Sequence, residues 1–235
     1  MPFVPQKRTA PEFLDLPPES YGAAELEGTL ADIRTINRYL GDSRAVVKHL
    51  SRMVAGRGSF SVLDIATGSA DIPVAVVKWA RSRGMRAEVT AVDINERTVD
   101  IARRETGAYP EIRLEVADGL SLPFADGSFD VVLCSKTNHH LTDEENVRLI
   151  KEMQRLARRG YLVMDLRRSW VAWFLIRMLS TLFTSNRLTR YDGPLSVLKS
   201  FTDQELASLA RQAGTARFRV SREPFWLLVL AGEVG

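Results

Sequence analysis

From Ser59 onward, short runs of apolar and β-branched residues alternate with stretches in which apolar positions recur every three or four residues. A strand buried on both faces reads as a continuous apolar run, and a helix laid over a sheet reads as a stripe. The alternation therefore predicts a parallel sheet covered on both faces. Strands are expected at residues 60–65, 87–93, 112–116, 129–135 and 161–166. Two more, at 216–220 and 225–230, flank Arg222-Glu223-Pro224 and read as a terminal hairpin. The expected fold is α/β and doubly wound: a mostly parallel seven-stranded sheet with a final antiparallel hairpin and an N-terminal helical extension.

Two stripes carry the extension. Leu26, Leu30, Ile33 and Leu40 share one helical face, and Val46, Val47, Leu50, Met53 and Val54 form another beyond Gly41-Asp42. The preceding residues are rich in proline and acids from Pro11 to Ser20, so an irregular lead-in is expected, with order beginning after it. Thr142-Asp143-Glu144-Glu145 and Thr202-Asp203-Gln204-Glu205 are capping boxes, each opening a helix, and Gly214 closes the second. Trp170 to Thr184 is unusually apolar, with Arg177, Ser180, Thr181 and Thr184 on one stripe. It is short for a bilayer span and contains an arginine, so it is expected to pack on the sheet; contact with a membrane surface is a less favoured reading.

Composition narrows the function classes. With 45% hydrophobic and 26% charged residues, the 235-residue chain has ample material for a core. Lys and Arg total 32 against 29 acids, so the net charge of +3 marks no nucleic-acid surface, and no nucleic-acid partner is expected. The one cysteine, Cys134, excludes an intramolecular disulfide and reads as a buried thiol in a reducing compartment, the cytoplasm. The first residues lack the apolar segment of a secretory signal. The oligomeric state is not legible.

Candidate chemistry begins where the first strand ends, at Asp64-Ile65-Ala66-Thr67-Gly68-Ser69-Ala70-Asp71. A tight turn of small residues brings backbone N–H groups close to a ligand. A dinucleotide fingerprint is disfavoured, because Ala66, Gly68 and Asp71 occupy its three glycine positions. Asp64 is placed to organise the loop and meet a cationic amino-acid end. Asp93, ending the second strand beside Ile94, is placed to accept both hydroxyls of a ribose. Asp118 and Gly119 follow the third strand, where a side chain and backbone could read an adenine edge. Ser135 ends the fourth.

These motifs, with Ser128-Phe129-Asp130-Val131-Val132, resemble the successive motifs of class I S-adenosylmethionine-dependent methyltransferases, over roughly residues 59–170. The resemblance implies a seven-stranded sheet with its last strand antiparallel and S-adenosyl-L-methionine as cofactor. It implies that the loop holds the methionine half, that Asp93 binds ribose and that Asp118 meets adenine. Alanines at positions 66 and 70 replace the outer glycines of the family's loop and disfavour positive φ. The organisation implied is an N-terminal extension or lid over residues 1–55 and a methyltransferase domain over 56–235, with an apolar helical insert at about 169–200. Asp165-Leu166-Arg167-Arg168-Ser169 with that insert also resembles members that act on polyketide-derived phenols and quinone precursors.

His139 and His140 follow the fourth strand, where an acceptor would meet the methyl group, and are the candidate bases for a hydroxyl acceptor. His140 is preferred because Leu141 anchors the helix entrance beside it. Trp170, Trp173 and Phe174 are expected near the acceptor. No metal is expected, since adjacent histidines point apart and no further ligands accompany them. The function implied is methyl transfer to a small, apolar or phenolic acceptor, with O-methylation favoured over C-methylation. The alternatives are a catalytically silent cofactor-binding protein and a methyltransferase of protein or nucleic acid.

Overall fold

The computed structural model describes residues 4–234. Helices α1 (Ala23–Leu40) and α2 (Asp42–Met53) precede an alternating series: β1 (Ser59–Ile65), α3 (Asp71–Ser82), β2 (Arg86–Asp93), α4 (Glu96–Glu105) and β3 (Ile112–Val116). Then follow β4 (Phe129–Ser135), α5 (Asp143–Leu156), β5 (Ala157–Leu166), α6 (Trp170–Phe183), α7 (Arg187–Lys199), α8 (Asp203–Gln212), β6 (Arg217–Glu223) and β7 (Leu227–Glu233). The sheet order is β3-β2-β1-β4-β5-β7-β6. β7 pairs antiparallel with both β5 and β6, and the remaining pairs are parallel, as the hydropathy pattern predicts.

Helices bury their stripes on both faces of this sheet. Leu149, Ile150 and Met153 of α5 and Leu206 and Leu209 of α8 pack with Leu63, Val132 and Val163 on one face. On the other, Val46 and Leu50 of α2 and Val76 and Val77 of α3 pack with Val62, Val131 and Leu162. The helix starts are fixed as expected: Thr142 and Glu145 bond each other's backbone N–H at 3.2 and 2.9 Å, and Thr202 and Glu205 do so at 3.3 and 2.7 Å. Cys134 is buried in β4.

Gly232 on β7 leaves room for the ring of Tyr161, its partner on β5, to pack against the strand. A methyl group added there would sit 2.2 Å from Tyr161 Cε1. Gly232→Ala is expected to lower stability by about 1–3 kcal/mol through overpacking, read as a shift in the urea midpoint with unchanged slope.

Four expectations need correction. The lead-in is ordered: 3-10 turns at Phe13–Asp15 and Pro18–Ser20 precede α1, Phe13 N is bonded to Asp192 of α7, and Glu12 is buried. β5 begins at Ala157, not Tyr161, because the chain leaves α5 directly into extended backbone. Phe225 and Trp226 are turn residues, not strand: φ of +58° and +56° at two successive positions is the pattern of a tight hairpin turn. α6 packs on α7 and turns Leu175 and Ile176 to the cavity, while Trp170, Val171, Phe174 and Leu182 stay exposed with Arg177 and Thr181, and Ser180 is buried. Among the described residues no helix is long and apolar enough to cross a membrane.

Candidate active site

The strand order reverses between β1 and β4, so the chain leaves the two strand ends in opposite directions and opens a crevice at the carboxyl edge of the sheet. A cavity of about 670 Å³ occupies it, the size of a small-molecule site. Leu26, Leu30 and Ile33 of α1, Leu175 and Ile176 of α6, and Phe225 and Trp226 of the hairpin turn form apolar walls. Among the described residues, five non-glycine positions have positive φ, and four of them line the cavity: Ala66, Lys136, Phe225 and Trp226. Strain of this kind gathers where the backbone is held for function.

One end of the cavity is built from the loop after β1. Ala66, Gly68 and Ala70 all take left-handed backbone, at φ of 56°, 57° and 59°. The alanines therefore keep the conformation that glycine would adopt more easily, at some cost in strain. Asp93 fixes the loop from β2: its Oδ2 accepts from Gly68 N and its Oδ1 from Asn95 N, both at 3.0 Å. Asp64 Oδ2 accepts from Thr67 Oγ1 at 2.7 Å, whereas its Oδ1 is buried without a partner. Burial pushes the Asp64 carboxyl up to about 7; the Thr67 bond opposes this, and the charges of Asp71 and Asp93 add to it. Ser69 Oγ and Thr29 Oγ1 at the same cavity are also buried and unpartnered. Buried polar atoms rarely stay unpaired, so this end is shaped for a polar ligand.

The N-terminal extension closes this end. Asn37 of α1 donates to Asp71 Oδ2 at 3.0 Å and accepts from Lys136 Nζ at 2.7 Å. Lys136 also pairs with buried Asp42 at 2.8 Å. No sequence signal marked Asn37, Asp42 or Lys136, because the partners come from helices and a loop far apart in the chain.

The other end is built around the 3-10 turn Asn138–His140. His139 is buried; its backbone N donates to Asp165 Oδ2 at 3.0 Å, and its Nδ1 meets Asp165 Oδ1 at 2.7 Å. A fully buried carboxylate accepts, so Nδ1 carries the proton and Nε2 keeps its lone pair. That Nε2 is unpartnered and lies 3.7 Å from Glu12 Oε1, which also lacks a hydrogen-bond partner. His140 Nδ1 meets Asp15 Oδ1 at 2.5 Å, and its Nε2 lies 3.8 Å from Glu12 Oε2. The adjacent histidines do not point apart as expected: the tight turn stacks their rings at 4.3 Å and 33°.

α7 secures the lead-in that supplies Glu12 and Asp15. Asp192 accepts from Phe13 N at 2.8 Å, Ser196 Oγ donates to Glu12 Oε2 at 2.8 Å, and Lys199 donates to Asp15 Oδ2 at 2.7 Å. Burial raises the Glu12 carboxyl against the pull of His140 and Lys199. Burial also pushes Asp15 up, but bonds from His140 and Lys199 outweigh it and hold that carboxyl well below the usual range.

Of the residues expected from sequence, Asp64, Ala66, Gly68, Ser69, Asp71, Asp93, Ile94, Ser135, His139 and His140 all line the cavity. Asp118 and Gly119 do not: Asp118 is exposed and accepts from Leu120 N at 2.9 Å, capping its own turn. Gly119 serves packing, since a Cβ there would lie 2.5 Å from Ile65 Cγ2. Trp173 is not a wall either; it packs edge-on against Trp170 at 5.8 Å and under Arg177.

Residues 62–160 match the family model described as a methyltransferase domain. The demethylmenaquinone methyltransferase of Staphylococcus epidermidis is 30% identical over 137 residues, 58% of this chain and 54% of that protein. That of Staphylococcus aureus is 29% identical over 122 residues, covering 52% and 48%. The chain spans about half the length of these curated relatives. Among solved structures, a SAM dependent methyltransferase from Aquifex aeolicus superposes over 92% of this chain and 100% of its own, with TM-score 0.63 and 15% identity. Human N-acetylserotonin methyltransferase in complex with SAM gives TM-score 0.64 at 14% identity, over 91% and 57%. Magnesium protoporphyrin IX methyltransferase from Synechocystis with bound SAH gives 0.56 at 19%, over 84% and 83%. Residues 62–160 are thus similar to a methyltransferase domain, and the chain shares the fold of these S-adenosylmethionine-dependent methyltransferase structures.

Proposed function

We propose that the protein transfers the methyl group of S-adenosyl-L-methionine to a hydroxyl of a small, apolar or phenolic acceptor. The observation that carries this reading is one cavity with two unlike ends. The loop end offers Asp93 and the unpartnered Asp64 Oδ1 and Ser69 Oγ. The turn end offers the bare Nε2 of His139, and apolar walls lie between them. Relatives and neighbours named for a menaquinone precursor, a porphyrin and N-acetylserotonin support a small-molecule acceptor.

Asp93 would hold the ribose, and the loop with Asp64 would hold the methionine end. When bound, the cofactor supplies a methyl group already activated by the sulfonium charge. The chain's own part is to align the acceptor, exclude water and take its proton. His139 is suited to removing that proton, because Asp165 fixes its tautomer and balances the imidazolium once Nε2 has accepted from the hydroxyl. His140, tied to Asp15 at the more open side, is the weaker candidate, which reverses the preference drawn from sequence.

Binding tests the cofactor half. Asp93→Ala is expected to weaken S-adenosylmethionine at least about tenfold, since hydrogen bonds to a charged group contribute about 1.5–3 kcal/mol. In the wild type the sign of the pH effect follows from Asp64. Its raised carboxyl is protonated below about 7, and a cationic ligand prefers the ionised form. Affinity should therefore rise as pH passes through that value, with a proton released on binding at lower pH. Calorimetry in two buffers of different ionisation enthalpy reads both, and an affinity flat from about pH 6 to 8 would remove Asp64 from the cofactor contacts. Turnover of labelled cofactor separates an enzyme from a silent binding protein.

A further inference from the structure

We propose that Glu12, His139 and His140 form a binding site for one divalent transition-metal ion of borderline softness, such as Zn²⁺, with its open position facing the acceptor cavity. One ligand atom from each of the three lies within 4.8 Å of the others. Both imidazoles are held in the same way. Each meets a carboxylate through Nδ1, Asp165 for His139 at 2.7 Å and Asp15 for His140 at 2.5 Å, and each brings Nε2 towards Glu12, at 3.7 and 3.8 Å. A carboxylate on the far nitrogen is the usual support of a metal-binding histidine, because it fixes the tautomer and raises the basicity of the ligating atom. Here the device occurs twice and converges on a third ligand.

The distances fit a shared ion better than a hydrogen bond. Separations of 3.7 and 3.8 Å exceed N–H···O length. Ligand atoms about 2.0–2.1 Å from a tetrahedral ion stand about 3.3 Å apart, so the three atoms, within 4.8 Å of one another here, would close by up to about 1.5 Å on binding. His139 Nε2 and Glu12 Oε1 are both buried and lack any hydrogen-bond partner. With Nδ1 carrying the proton, Nε2 and Glu12 Oε1 turn lone pairs toward each other, which a cation bound between them would satisfy.

Charge balance points the same way. Glu12, Asp165 and Asp192 are buried and Asp15 adjoins them, against the single ammonium of Lys199. Lys199 stands 3.3 Å from Glu12 Oε1 but gives its short bond, 2.7 Å, to Asp15. Two imidazoles and one carboxylate are the ligand set of late first-row divalent ions, and three protein ligands leave a fourth position for a substrate oxygen. With the ion in place the Nε2 lone pair of His139 is committed to it, so the proton-accepting role proposed above belongs to the metal-free protein; the identity of the fourth ligand, an acceptor hydroxyl, also rests on the methyl-transfer reading.

The test uses tag-free full-length protein dialysed against a chelator and titrated with Zn²⁺ against a competing indicator, then with Co²⁺ followed by visible absorption. One equivalent is expected to bind, with the intense bands of a tetrahedral Co²⁺ site. Glu12→Gln and His140→Gln should each weaken it at least about 100-fold, and Asp165→Asn about 10–100-fold through His139. S-adenosylmethionine affinity, measured on the same samples, reports that the variants are folded. No saturable stoichiometric binding, or equal binding by wild type and variants that still take up the cofactor, overturns the site while leaving the methyltransferase reading intact. Metal binding without cofactor binding would do the reverse.

Discussion

Replacing His139 by glutamine is expected to slow single-turnover methyl transfer to a hydroxyl acceptor by about 10²–10⁴-fold, the usual contribution of a positioned proton acceptor. Cofactor affinity should hardly change, because the residues that would hold the cofactor lie at the other end of the cavity. The reason is geometric. His139 lines the cavity, its Nδ1 is committed to a fully buried carboxylate, and its Nε2 is buried beside Glu12 without a hydrogen-bond partner. Asp165→Asn should reproduce much of the loss, since an amide no longer selects the tautomer that leaves Nε2 basic. Its rate should also respond differently to pH. A His139→Gln enzyme within about threefold of the wild-type rate would reduce the histidine to a packing residue.

Arg168→Met is expected to destabilise the fold by about 2–4 kcal/mol, since two buried carbonyls lose their donor at about 1–3 kcal/mol each and the partly exposed Glu205 adds little. The guanidinium is buried and donates to Pro5 O at 3.0 Å, Ser200 O at 2.6 Å and Glu205 Oε1 at 2.5 Å. It thereby joins the lead-in, the end of α7 and the start of α8. Methionine fills similar volume but leaves two buried carbonyls and a carboxylate without their donor. Chemical unfolding monitored by tryptophan fluorescence measures the loss, and a change under about 1 kcal/mol would mean that water replaces the guanidinium. Because Pro5 leads into Glu12, the variant should also lose the organisation of the histidine end.

The parallel sheet was legible because each strand carries its own periodicity, and a strand such as β4, with Phe129 to Cys134 all buried, needs no distant partner to be recognised. The loop end of the cavity was legible for a related reason: Asp64, Gly68 and Asp93 stand at the ends of such strands. The turn end was only half legible. His139 and His140 stand out, but their setting comes from Glu12, Asp15, Asp192 and Lys199, each unremarkable where it sits in the chain. Proline-rich acidic segments usually read as loose, and only the burial of Glu12 against α7 reveals that this one is structural. Asp118 stands outside the cavity lining for a different reason. A strand-ending aspartate serves a turn as readily as a ligand, and here it caps its own turn.

The attachment of the lead-in to α7 has a kinetic side. The bonds from Phe13 N to Asp192, from Ser196 to Glu12 and from Lys199 to Asp15 join residues separated by 179 to 184 positions in the chain. Contacts of such sequence separation must overcome a large loop-closure entropy and tend to form after local ones. The loop after β1 and its clamp from Asp93 span only 25 positions and can form on β1 and β2 alone. During synthesis the loop end of the cavity is therefore expected to take shape while α7 is still unmade, and the turn end only when the chain's beginning meets its last third. Under the function proposed above, the end that would hold the cofactor then forms before the end that would hold the acceptor.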